Sequence, residues 1–522
     1  MKSKILFGND ARTKLLQGMN TMADAVSQTL GPKAKLVAIA KATPKGEVYS
    51  RTVIDDGVGV AKSIELSDEY ENMGVAILRE AAQKQLDVVG DGTTAVIVLA
   101  REIVNQSMKQ IAEGKSPMSL RFELEESAQK LVKAIEKMAK PIKNKKDKVH
   151  IATISCKNEE LGKLIAETFE KVGIDGVITV EESKSSQTTV DHQQGMQFDN
   201  GWYSPYFITD PNSMTATAEN TTVLVTDHKI ENILELKKFF DEDFVKVSRT
   251  ITIIAPEFGG DALPTFIATK MDGKIQILCV RAPSFGPNQK NMLQDIAVLT
   301  GAKFITQDAG HKLVDLKSSD LGSATRITST RDATIIVGGG GKAVDIATRA
   351  VMIKKLMETE ESAFEQEKLK ERLGKLSNGI AVIRVGGQTE VEMHERKERV
   401  EDAIASTRSA IANGIVPGGE VIYLKVRDQA DSKIMSESLK KPFFQLLENS
   451  GIDNSEIMYD INAKDTTLGV DVLDSKVKDM IEAGIIDPAS VSINAILNAV
   501  SVATQIILIG AIVVPDETLP RV

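Results

Sequence analysis

The sequence predicts a multidomain protein of the α+β class, in which mostly helical terminal regions surround an α/β middle region. The chain has 522 residues, which is too long for one hydrophobic core. Apolar residues recur every three or four positions in the first part of the chain and again after Gly379, a spacing typical of amphipathic helices. Between about Gly195 and Gly379, β-branched runs alternate with helical segments. This pattern suggests that the middle is an insertion and that both ends form one domain.

The charge and cysteine content argue against several classes of function. The 64 basic and 73 acidic residues give a formal net charge of −9, which argues against nucleic-acid binding and membrane-surface binding. Cys156 and Cys279 are far apart in the sequence and fit no metal spacing, so we expect two reduced, buried cysteines. The five histidines share no common spacing and predict no zinc site.

The chain shows no targeting pattern. The first seven residues lack the apolar core of a signal peptide, and nothing resembles a transit peptide. The longest apolar run, residues 506–514, is too short to span a bilayer. We therefore expect a cytoplasmic protein with no membrane partner.

The N-terminal region reads as helices with two short strands. A first helix should begin at Asn9-Asp10 and end at Leu30-Gly31-Pro32, because glycine and proline stop helices. Strands are predicted at 35–40 and 52–54, the second leading into a turn at Asp55-Asp56-Gly57. Further helices are predicted at 75–88, after residue 95, and from Ser119 to Pro141.

The segment Gly90-Asp91-Gly92-Thr93-Thr94 lies between two of these predicted helices. A tight turn that opens onto a helix N-terminus offers unpaired amide N–H groups and the positive end of a helix dipole to a phosphate. Glycine permits close approach, Asp91 offers a hard oxygen ligand for Mg²⁺, and the threonines add hydroxyl groups. Judged alone, the motif is more typical of a helix cap that binds nothing.

Predicted strands and helices alternate in the middle region, and helices predominate in the C-terminal region. Strands are predicted at 177–180, 250–255, 274–280 and 303–306, with helices at 262–271 and 291–300. One charged helix is predicted over 351–376, followed by a strand at 380–385 and a helix through Arg399 and Arg408. From there to Ile509 the chain should be mostly helical, with 485–488 as a turn between two helices.

Other polar and glycine motifs have both a chemical and a simpler structural explanation. Asp56 and Asp402 could orient a water for phosphoryl transfer, although each alone is more typical of an exposed acid. Asp487 could accept hydrogen bonds from a ribose, and Gly418-Gly419 would permit close approach of a ligand. The glycine run at 338–341 lacks the Ser or Thr of a phosphate loop, so a turn at a strand end is predicted there.

Apolar residues of the middle region form either core or a surface that binds other proteins. Four aromatic residues occur within the segment 202–207, and further apolar positions occur near Phe239-Phe240 and at Leu263, Phe266 and Ile267. Core packing is the usual explanation, whereas a contiguous exposed patch would mark a protein-binding surface.

Taken together, these segments resemble one family along nearly the whole chain, the group I, GroEL-type chaperonins. The motifs that carry the resemblance follow one another in the family's order: Phe7-Gly8-Asn9-Asp10-Ala11-Arg12, Thr29-Leu30-Gly31-Pro32-Lys33, Asp91-Gly92-Thr93-Thr94, Gly195-Met196-Gln197-Phe198-Asp199, Ser204-Pro205-Tyr206-Phe207, Met292-Leu293-Gln294-Asp295-Ile296-Ala297, Thr389-Glu390-Val391-Glu392-Met393, Arg399-Val400-Glu401-Asp402-Ala403 and Ile486-Asp487-Pro488. So many motifs in one order are very specific.

The resemblance implies a GroEL-like fold with a mostly helical equatorial domain, a small α/β intermediate domain and an inserted α/β apical domain. The implied ranges are 1–140 and 413–522 for the equatorial ATP-binding domain, 141–194 and 380–412 for the intermediate hinge domain, and 195–379 for the apical client- and lid-binding domain. Pro141 and Gly414 match one family hinge, and Gly195 and Gly379 match the other.

The resemblance also implies an activity and its partners. The protein would be an ATPase that encloses non-native polypeptides in a ring cavity and promotes their folding, with ATP, Mg²⁺ and K⁺ as cofactors. Identical subunits would form two stacked heptameric rings, capped by a GroES-type co-chaperonin lid. No nucleic acid and no membrane is expected as a partner.

Individual site residues follow from the same resemblance. The implied ATP-binding residues are Thr29, Leu30, Gly31, Pro32, Asp91, Gly92, Thr93, Thr94, Gly419 and Asp487. Asp91 would bind Mg²⁺, Thr29 would bind K⁺, and Asp56 and Asp402 would promote hydrolysis. The implied client- and lid-binding residues are Tyr206, Phe207, Phe240, Leu263 and Ile267.

The sequence departs from the family pattern around these sites. Asp55 stands where the family has a lysine near the phosphates, and this reversed charge would repel ATP. Further departures near the nucleotide change size or remove a hydroxyl group: Ala95 for threonine, Glu420 for glycine, and Val472 and Leu473 for two alanines at the adenine pocket. Lys237-Lys238 replaces a Leu-Pro pair at the apical groove. The pattern predicts a divergent paralogue.

Three functions therefore remain open at the level of sequence. The first is an ATP-hydrolysing chaperonin subunit. The second is a weakly hydrolysing or non-hydrolysing paralogue that acts as a holdase or as a regulatory subunit. The third, a metabolic kinase or ATPase, would require a small-molecule pocket in the middle region, and no motif supports it.

Overall fold

A computed structural model of the chain describes residues 3–42, 48–54, 56–142, 144–173, 176–183, 185–211, 213–244, 248–360, 362–377, 379–453 and 467–515. Its first unit combines Met1–Glu167 with His394–Val522, and its second unit is the continuous segment Thr168–Met393. Residues from both chain ends thus share one core, while the second unit has a core of its own.

Helices occur in both units, and most of the first unit is helical. The helices of the described chain are α1 (Gly8–Ser27), α2 (Gly57–Ser63), α3 (Glu69–Val89), α4 (Thr93–Ala112), α5 (Pro117–Met138), α6 (Lys145–Cys156), α7 (Glu159–Val172), α8 (Leu234–Lys238), α9 (Ala262–Asp272), α10 (Gly286–Thr300), α11 (Ala343–Thr359), α12 (Ala363–Ser377), α13 (Glu390–Asn413), α14 (Val421–Val426), α15 (Lys433–Ser438), α16 (Lys441–Asn449) and α17 (Ala489–Leu508). The apolar stripes of α1, α3, α4, α5 and α17 face one core.

Helix α17 occupies the centre of that core. It is long and apolar enough to cross a membrane by length and composition, with a mean hydropathy of 1.7. Most of its side chains are buried, and it packs against α3, α4 and α5. Burial inside the unit therefore accounts for its apolar sequence.

The strands form one large sheet and several small ones. They are β1 (Ser3–Phe7), β2 (Val37–Ala42), β3 (Val48–Ile54), β4 (Val177–Glu182), β5 (Thr189–Gln193), β6 (Gly195–Asp199), β7 (Ala216–Thr226), β8 (Thr250–Ala255), β9 (Gln276–Arg281), β10 (Phe304–Ile305), β11 (Gly322–Ser329), β12 (Ala333–Gly339), β13 (Ile380–Val385), β14 (Ile415–Pro417), β15 (Leu468–Asp471), β16 (Lys476–Asp479), β17 (Ile486–Pro488) and β18 (Ala511–Pro515).

The second unit is built on two sheets. Its larger sheet has the order β6-β12-β11-β7-β8-β9, with β10 beside β7. The pairs β7-β8 and β8-β9 are parallel and are covered by helices, whereas the β6-β12-β11-β7 part is antiparallel. The smaller sheet has the order β4-β13-β5. This mixture confirms the α/β pattern that the sequence predicts for the middle region.

Two predicted elements were wrong. The single charged helix over 351–376 is instead α11 and α12, with Glu360 in an extended conformation after α11. Residues 485–488 are not a turn between helices, because Ile486–Pro488 is a strand that pairs with Ile415–Pro417. The hairpin of β15 and β16 was also missed in a region predicted to be mostly helical.

A buried charge cluster holds α11 and α12 against α10. Asp295, fully buried on α10, accepts hydrogen bonds at 2.8 and 3.1 Å from Arg372 of α12 and at 2.7 Å from Arg349 of α11. One carboxylate thus fixes the position of two helices, since a buried charge is stable only when paired. Cys156 and Cys279 are both buried and free, as predicted.

Candidate functional site

The turn between α3 and α4 is the centre of the candidate site. Gly90 ends α3 with φ +73°, and Gly92 precedes α4 with φ +77°, a left-handed conformation that glycine adopts at little cost. No side chain caps α4. The first amide N–H groups of this long helix are therefore open to an anion, as the motif predicts.

The turn packs on the helix that carries Asp402. A Cβ added at Gly90 would lie 2.5 Å from the Cβ of Ala405 and 3.3 Å from the carbonyl oxygen of Asp402. Only glycine permits this approach. Asp91 accepts a hydrogen bond from the amide N–H of Gly92 at 2.6 Å. The structure therefore brings Asp91 and the α13 backbone at Asp402 to the same place.

The ends of α1, α2 and α4 meet beside this turn. The Thr29 hydroxyl donates to the carbonyl oxygen of Val26 at 2.8 Å and lies 3.3 Å from the Thr94 hydroxyl. A Cβ added at Gly57 would lie 2.3 Å from the Thr94 hydroxyl oxygen. Asp56 caps α2 by accepting from Val58 N at 3.2 Å and Gly59 N at 2.5 Å. Its carboxylate is thus fixed near the two threonines.

The loop that contains Thr29, Leu30, Gly31 and Pro32 is held by a residue from the far end of the chain. Asn449 of α16 donates to the carbonyl oxygens of Ser27 at 2.8 Å and Leu30 at 3.0 Å. These hydrogen bonds are buried, so the loop has a defined conformation.

Gly419 and Asp487 lie on neighbouring segments. Asp487, on β17, is opposite Val416 of β14. A Cβ added at Gly418 would lie 3.0 Å from a carboxylate oxygen of Asp487. Next to it, a Cβ at Gly419 would lie 3.0 Å from the terminal methyl of Met480. The site therefore has an acidic wall beside an apolar one, which suits a ribose and a base.

A buried hydrogen-bond network that the sequence analysis missed supports the turn. Gln85 donates to the carbonyl oxygens of Asp91 and Val491, both at 3.0 Å, and accepts from Asn498 at 3.0 Å. Gln85 is fully buried. The sequence could have predicted this network. Gln85 and Asn498 interrupt otherwise apolar helix faces, and a buried polar side chain needs a hydrogen-bond partner.

Carboxyl groups around the site raise one another's pKa. Burial, with the neighbouring carboxylates Asp91 and Asp56, raises the pKa of Asp402 to about 8. Burial also raises the pKa of Asp487 to about 7, with a further contribution from Asp91. The pKa of Asp91 itself is raised, mainly by burial. The site thus disfavours the charged forms of these carboxyl groups, and a bound cation would favour them again.

Glu420 adds a further carboxyl group of this kind. It lies at φ +61°, a conformation that costs free energy for any residue except glycine. Burial raises the pKa of its carboxyl group to about 8, and Asp487 and Asp91 contribute. Among the described residues, no three His, Cys, Asp or Glu side chains converge closely enough to hold a metal ion by themselves.

The other residues that differ from the family pattern near the nucleotide site vary in their exposure to solvent. Ala95 is buried in the first turn of α4. Val472 is 5% exposed and packs with Leu30 and Leu446, whereas Leu473 is 65% exposed. Asp55 lies outside the described residues.

The predicted client- and lid-binding residues differ in accessibility. Tyr206 is 62% exposed, whereas Phe207 is 1% exposed because the short 3-10 turn Pro205–Phe207 directs its ring into the core. Phe240, Leu263 and Ile267 are partly buried against that core. In this conformation only Tyr206 of the five presents a largely exposed side chain.

The four predicted hinge residues form two close pairs. Lys140, next to Pro141, exchanges two 2.8 Å backbone hydrogen bonds with Ile415, next to Gly414. In the second unit, a Cβ added at Gly195 would lie 2.6 Å from the Cδ1 of Ile380, next to Gly379. A backbone bridge thus joins the first pair, and the second pair lies where β6 and β13 begin.

Solved structures share this fold. The chaperonin gp146 from bacteriophage EL 2 (Pseudomonas aeruginosa), crystallised in the presence of ATP-BeFx, matches with a TM-score of 0.71 in crystal form II and 0.62 in crystal form I. In both cases the identity is 22%, with 98% of this chain and 99% of that chain covered. The fold is therefore that of a chaperonin.

A family model identifies the chain more closely. The model of the TCP-1/cpn60 chaperonin family matches residues 22–239 and 267–517. The chain belongs to this family. The multidomain α+β fold and the chaperonin resemblance predicted from sequence are thereby confirmed.

Proposed function

We propose that this chaperonin binds and hydrolyses ATP and uses the cycle to enclose non-native polypeptides and promote their folding. One observation carries the proposal: the Gly90–Thr94 turn opens onto the uncapped N-terminus of α4 and packs on the helix that bears Asp402. Family membership and the nucleotide analogue present with gp146 also support it.

The residues present fit a magnesium nucleotide. The amide N–H groups of the first turn of α4 and the Thr93 and Thr94 hydroxyls would hold phosphate oxygens. Asp91 would supply one carboxylate to Mg²⁺, which is commonly bound by one or two carboxylates together with phosphates. When bound, the ion would neutralise phosphate charge. Asp487 and Gly419 would contact the ribose and the base.

A monovalent cation is also part of the proposal. Oxygen atoms such as backbone carbonyls coordinate K⁺, and Thr29 brings a hydroxyl within 3.3 Å of that of Thr94. Any cation in this region would lower the raised pKa of the nearby carboxyl groups.

Asp402 and Asp56 would act on the attacking water. Burial and the neighbouring carboxylates raise the pKa of Asp402 to about 8, and bound cations would favour the charged form, which can accept a proton. Asp402 would take the proton of the water as it attacks. Asp56, held in place as the cap of α2, would orient the same water.

The first experiment is steady-state ATP turnover with Mg²⁺ in K⁺ buffer, on wild type and Asp402→Asn. Loss of a general base commonly costs about 10²- to 10⁴-fold in rate, so we expect a fall of about that size with nucleotide binding retained. Glu395→Gln, an exposed site on the same helix, is the matched control and should keep the wild-type rate. Absence of Mg²⁺-dependent turnover by the wild-type assembly would refute the ATPase proposal.

A chaperonin that holds clients with little or no turnover is the alternative. One observation favours it: Glu420 lies near Asp91 and Asp487, and its charged form would repel a polyphosphate, so the site must hold this group in its protonated form when nucleotide binds. Client binding that persists without ATP, in a protein that shows no turnover, would support this alternative.

The assembly and partners complete the proposal. We expect two stacked heptameric rings, a GroES-type lid, and clients bound by the apical surface that includes Tyr206. Electron microscopy with and without ATP would reveal the number of subunits and rings. Other ring sizes would contradict the heptamer but not the ATPase.

A further inference from the structure

The second unit contains a cavity away from the candidate nucleotide site. Its volume is about 660 Å³, within the range of about 300–1,000 Å³ typical of small-molecule sites. It lies between helix α11, the end of α12 and the strands β5 and β13. Its floor is apolar and mostly buried: Leu299, Ile346, Leu376 and Ile380.

The rim of the cavity is positively charged. Lys171 and Lys354 line it, and its described lining includes no acidic side chain. Neither lysine has an ion-pair partner among the described residues. Unpaired cations beside a buried apolar floor are complementary to a ligand with one negative end and one apolar end.

We propose that this cavity binds an amphipathic anion, namely the carboxylate form of a free fatty acid. The acyl chain would lie against Leu299, Ile346 and Ile380, where burial of each methylene is favourable. The carboxylate would lie at the rim between Lys171 and Lys354. A neutral apolar ligand would leave the cations unused, and a cationic one would be repelled.

The cavity also lies beside residues that the family resemblance assigns to a hinge. Gly379, a predicted hinge residue, and Gln193, the last residue of β5, both line it. A ligand that fills the space between α11 and these strands would hold them in one arrangement and so slow ATP turnover. This regulatory step rests on the proposed function, whereas binding itself does not.

Calorimetric titration of the assembled, nucleotide-free protein with dodecanoate, below its micelle concentration, tests the binding. We expect saturation at one molecule per chain. Lys171→Glu combined with Lys354→Glu should weaken binding at least tenfold, while Lys355→Glu, an exposed control on the same helix, should change it less than twofold. Ala347→Trp, an exposed lining position on α11, should fill the cavity and weaken binding at least tenfold.

Several results would overturn the proposal. Any one of three results would do so. The first is no saturation of the wild type with dodecanoate, and the second is that the wild type binds dodecyltrimethylammonium as tightly as dodecanoate. The third is that dodecanoate binds both the charge-reversal protein and the Ala347→Trp protein as tightly as the wild type. A change of oligomeric state in Ala347→Trp, without loss of dodecanoate binding, would instead assign this face to contact between copies. Because the titration uses no nucleotide, its failure is distinct from a failure of the ATPase proposal.

Discussion

At the scale of single residues, the candidate site is dominated by carboxyl groups whose charges oppose one another. Asp402, Glu420 and Asp487 all have a raised pKa, because burial and neighbouring carboxylates disfavour the charged form. Glu420 contributes backbone strain as well as charge. The nucleotide-free protein therefore holds these groups at a cost in stability, which nucleotide and cations would relieve.

The first prediction concerns pH. A carboxyl group with a higher pKa in the folded chain than in the unfolded chain stabilises the fold most at low pH, and this contribution is lost as pH rises from about 4 to about 8. The free energy of unfolding of the nucleotide-free protein should therefore fall between pH 6 and pH 8. Glu420→Gln, which removes one of the carboxyl groups with a raised pKa, should lessen the fall. Urea unfolding at both pH values measures this.

Glu437→Gln is the control for this measurement. Lys440 lowers the pKa of Glu437, so that group titrates below the measured range and its loss should leave the pH dependence unchanged. Equal pH dependence in wild type and Glu420→Gln would contradict the charge account of the site.

Sequence analysis predicted the turn at Asp91 but not the side chains that support it. The turn at Asp91 follows from local rules, because its glycines and the apolar helix that follows them are visible in the sequence. Gln85, Asn449 and Asn498 act across hundreds of residues, so no local pattern reveals their partners. Phe207 was predicted as a surface residue, but its ring is buried, which its motif does not reveal.

At the scale of helices and strands, hydrophobic periodicity predicted most elements to within a few residues. Strands β8 and β13 match their predicted ranges. The break between α11 and α12 was missed because neither glycine nor proline marks it, and the charged pattern continues through it. The strand at Asp487 was missed because three residues carry no measurable period.

The second prediction concerns the Asp295 cluster. Asp295→Ala would leave Arg349 and Arg372 without their buried partner, and breaking such a cluster commonly costs about 3–5 kcal/mol. We expect a fall of that size in the free energy of unfolding of the second unit, measured by urea denaturation. Asp345→Ala, an exposed position on α11, should change it by less than about 0.5 kcal/mol. A loss below about 1 kcal/mol for Asp295→Ala would show that the cluster does not hold the helices.

At the scale of the whole molecule, the chain divides into a continuous unit and a discontinuous one. The continuous unit has its own apolar core, centred on residues such as Phe198, Ile253 and Leu293. The two-part unit depends on contacts between its N-terminal and C-terminal segments, for example α17 against α4. Sequence pattern suggested the insertion, but the pairing of α4 with α17 depends on shape complementarity between distant segments.

The third prediction follows from this division. A fragment of residues 159–393, which keeps α7 whole, should fold alone and unfold in one cooperative thermal transition, because its core is complete. Circular dichroism and heteronuclear NMR provide the measurement. A fragment of residues 3–167 is the comparison and should remain poorly structured, since it lacks α17. Broad, non-cooperative melting of the 159–393 fragment would contradict this division.

The hydrogen bond between Gln85 and Asn498 has a consequence for biosynthesis. Its partners are 413 residues apart, and at about 5–20 residues per second the ribosome adds Asn498 roughly 20–80 s after Gln85. Until then the Asp91 turn lacks its buried support and the site lacks Asp487. A nascent chain should therefore gain its affinity for nucleotide only near the end of translation, while its continuous middle unit has already folded.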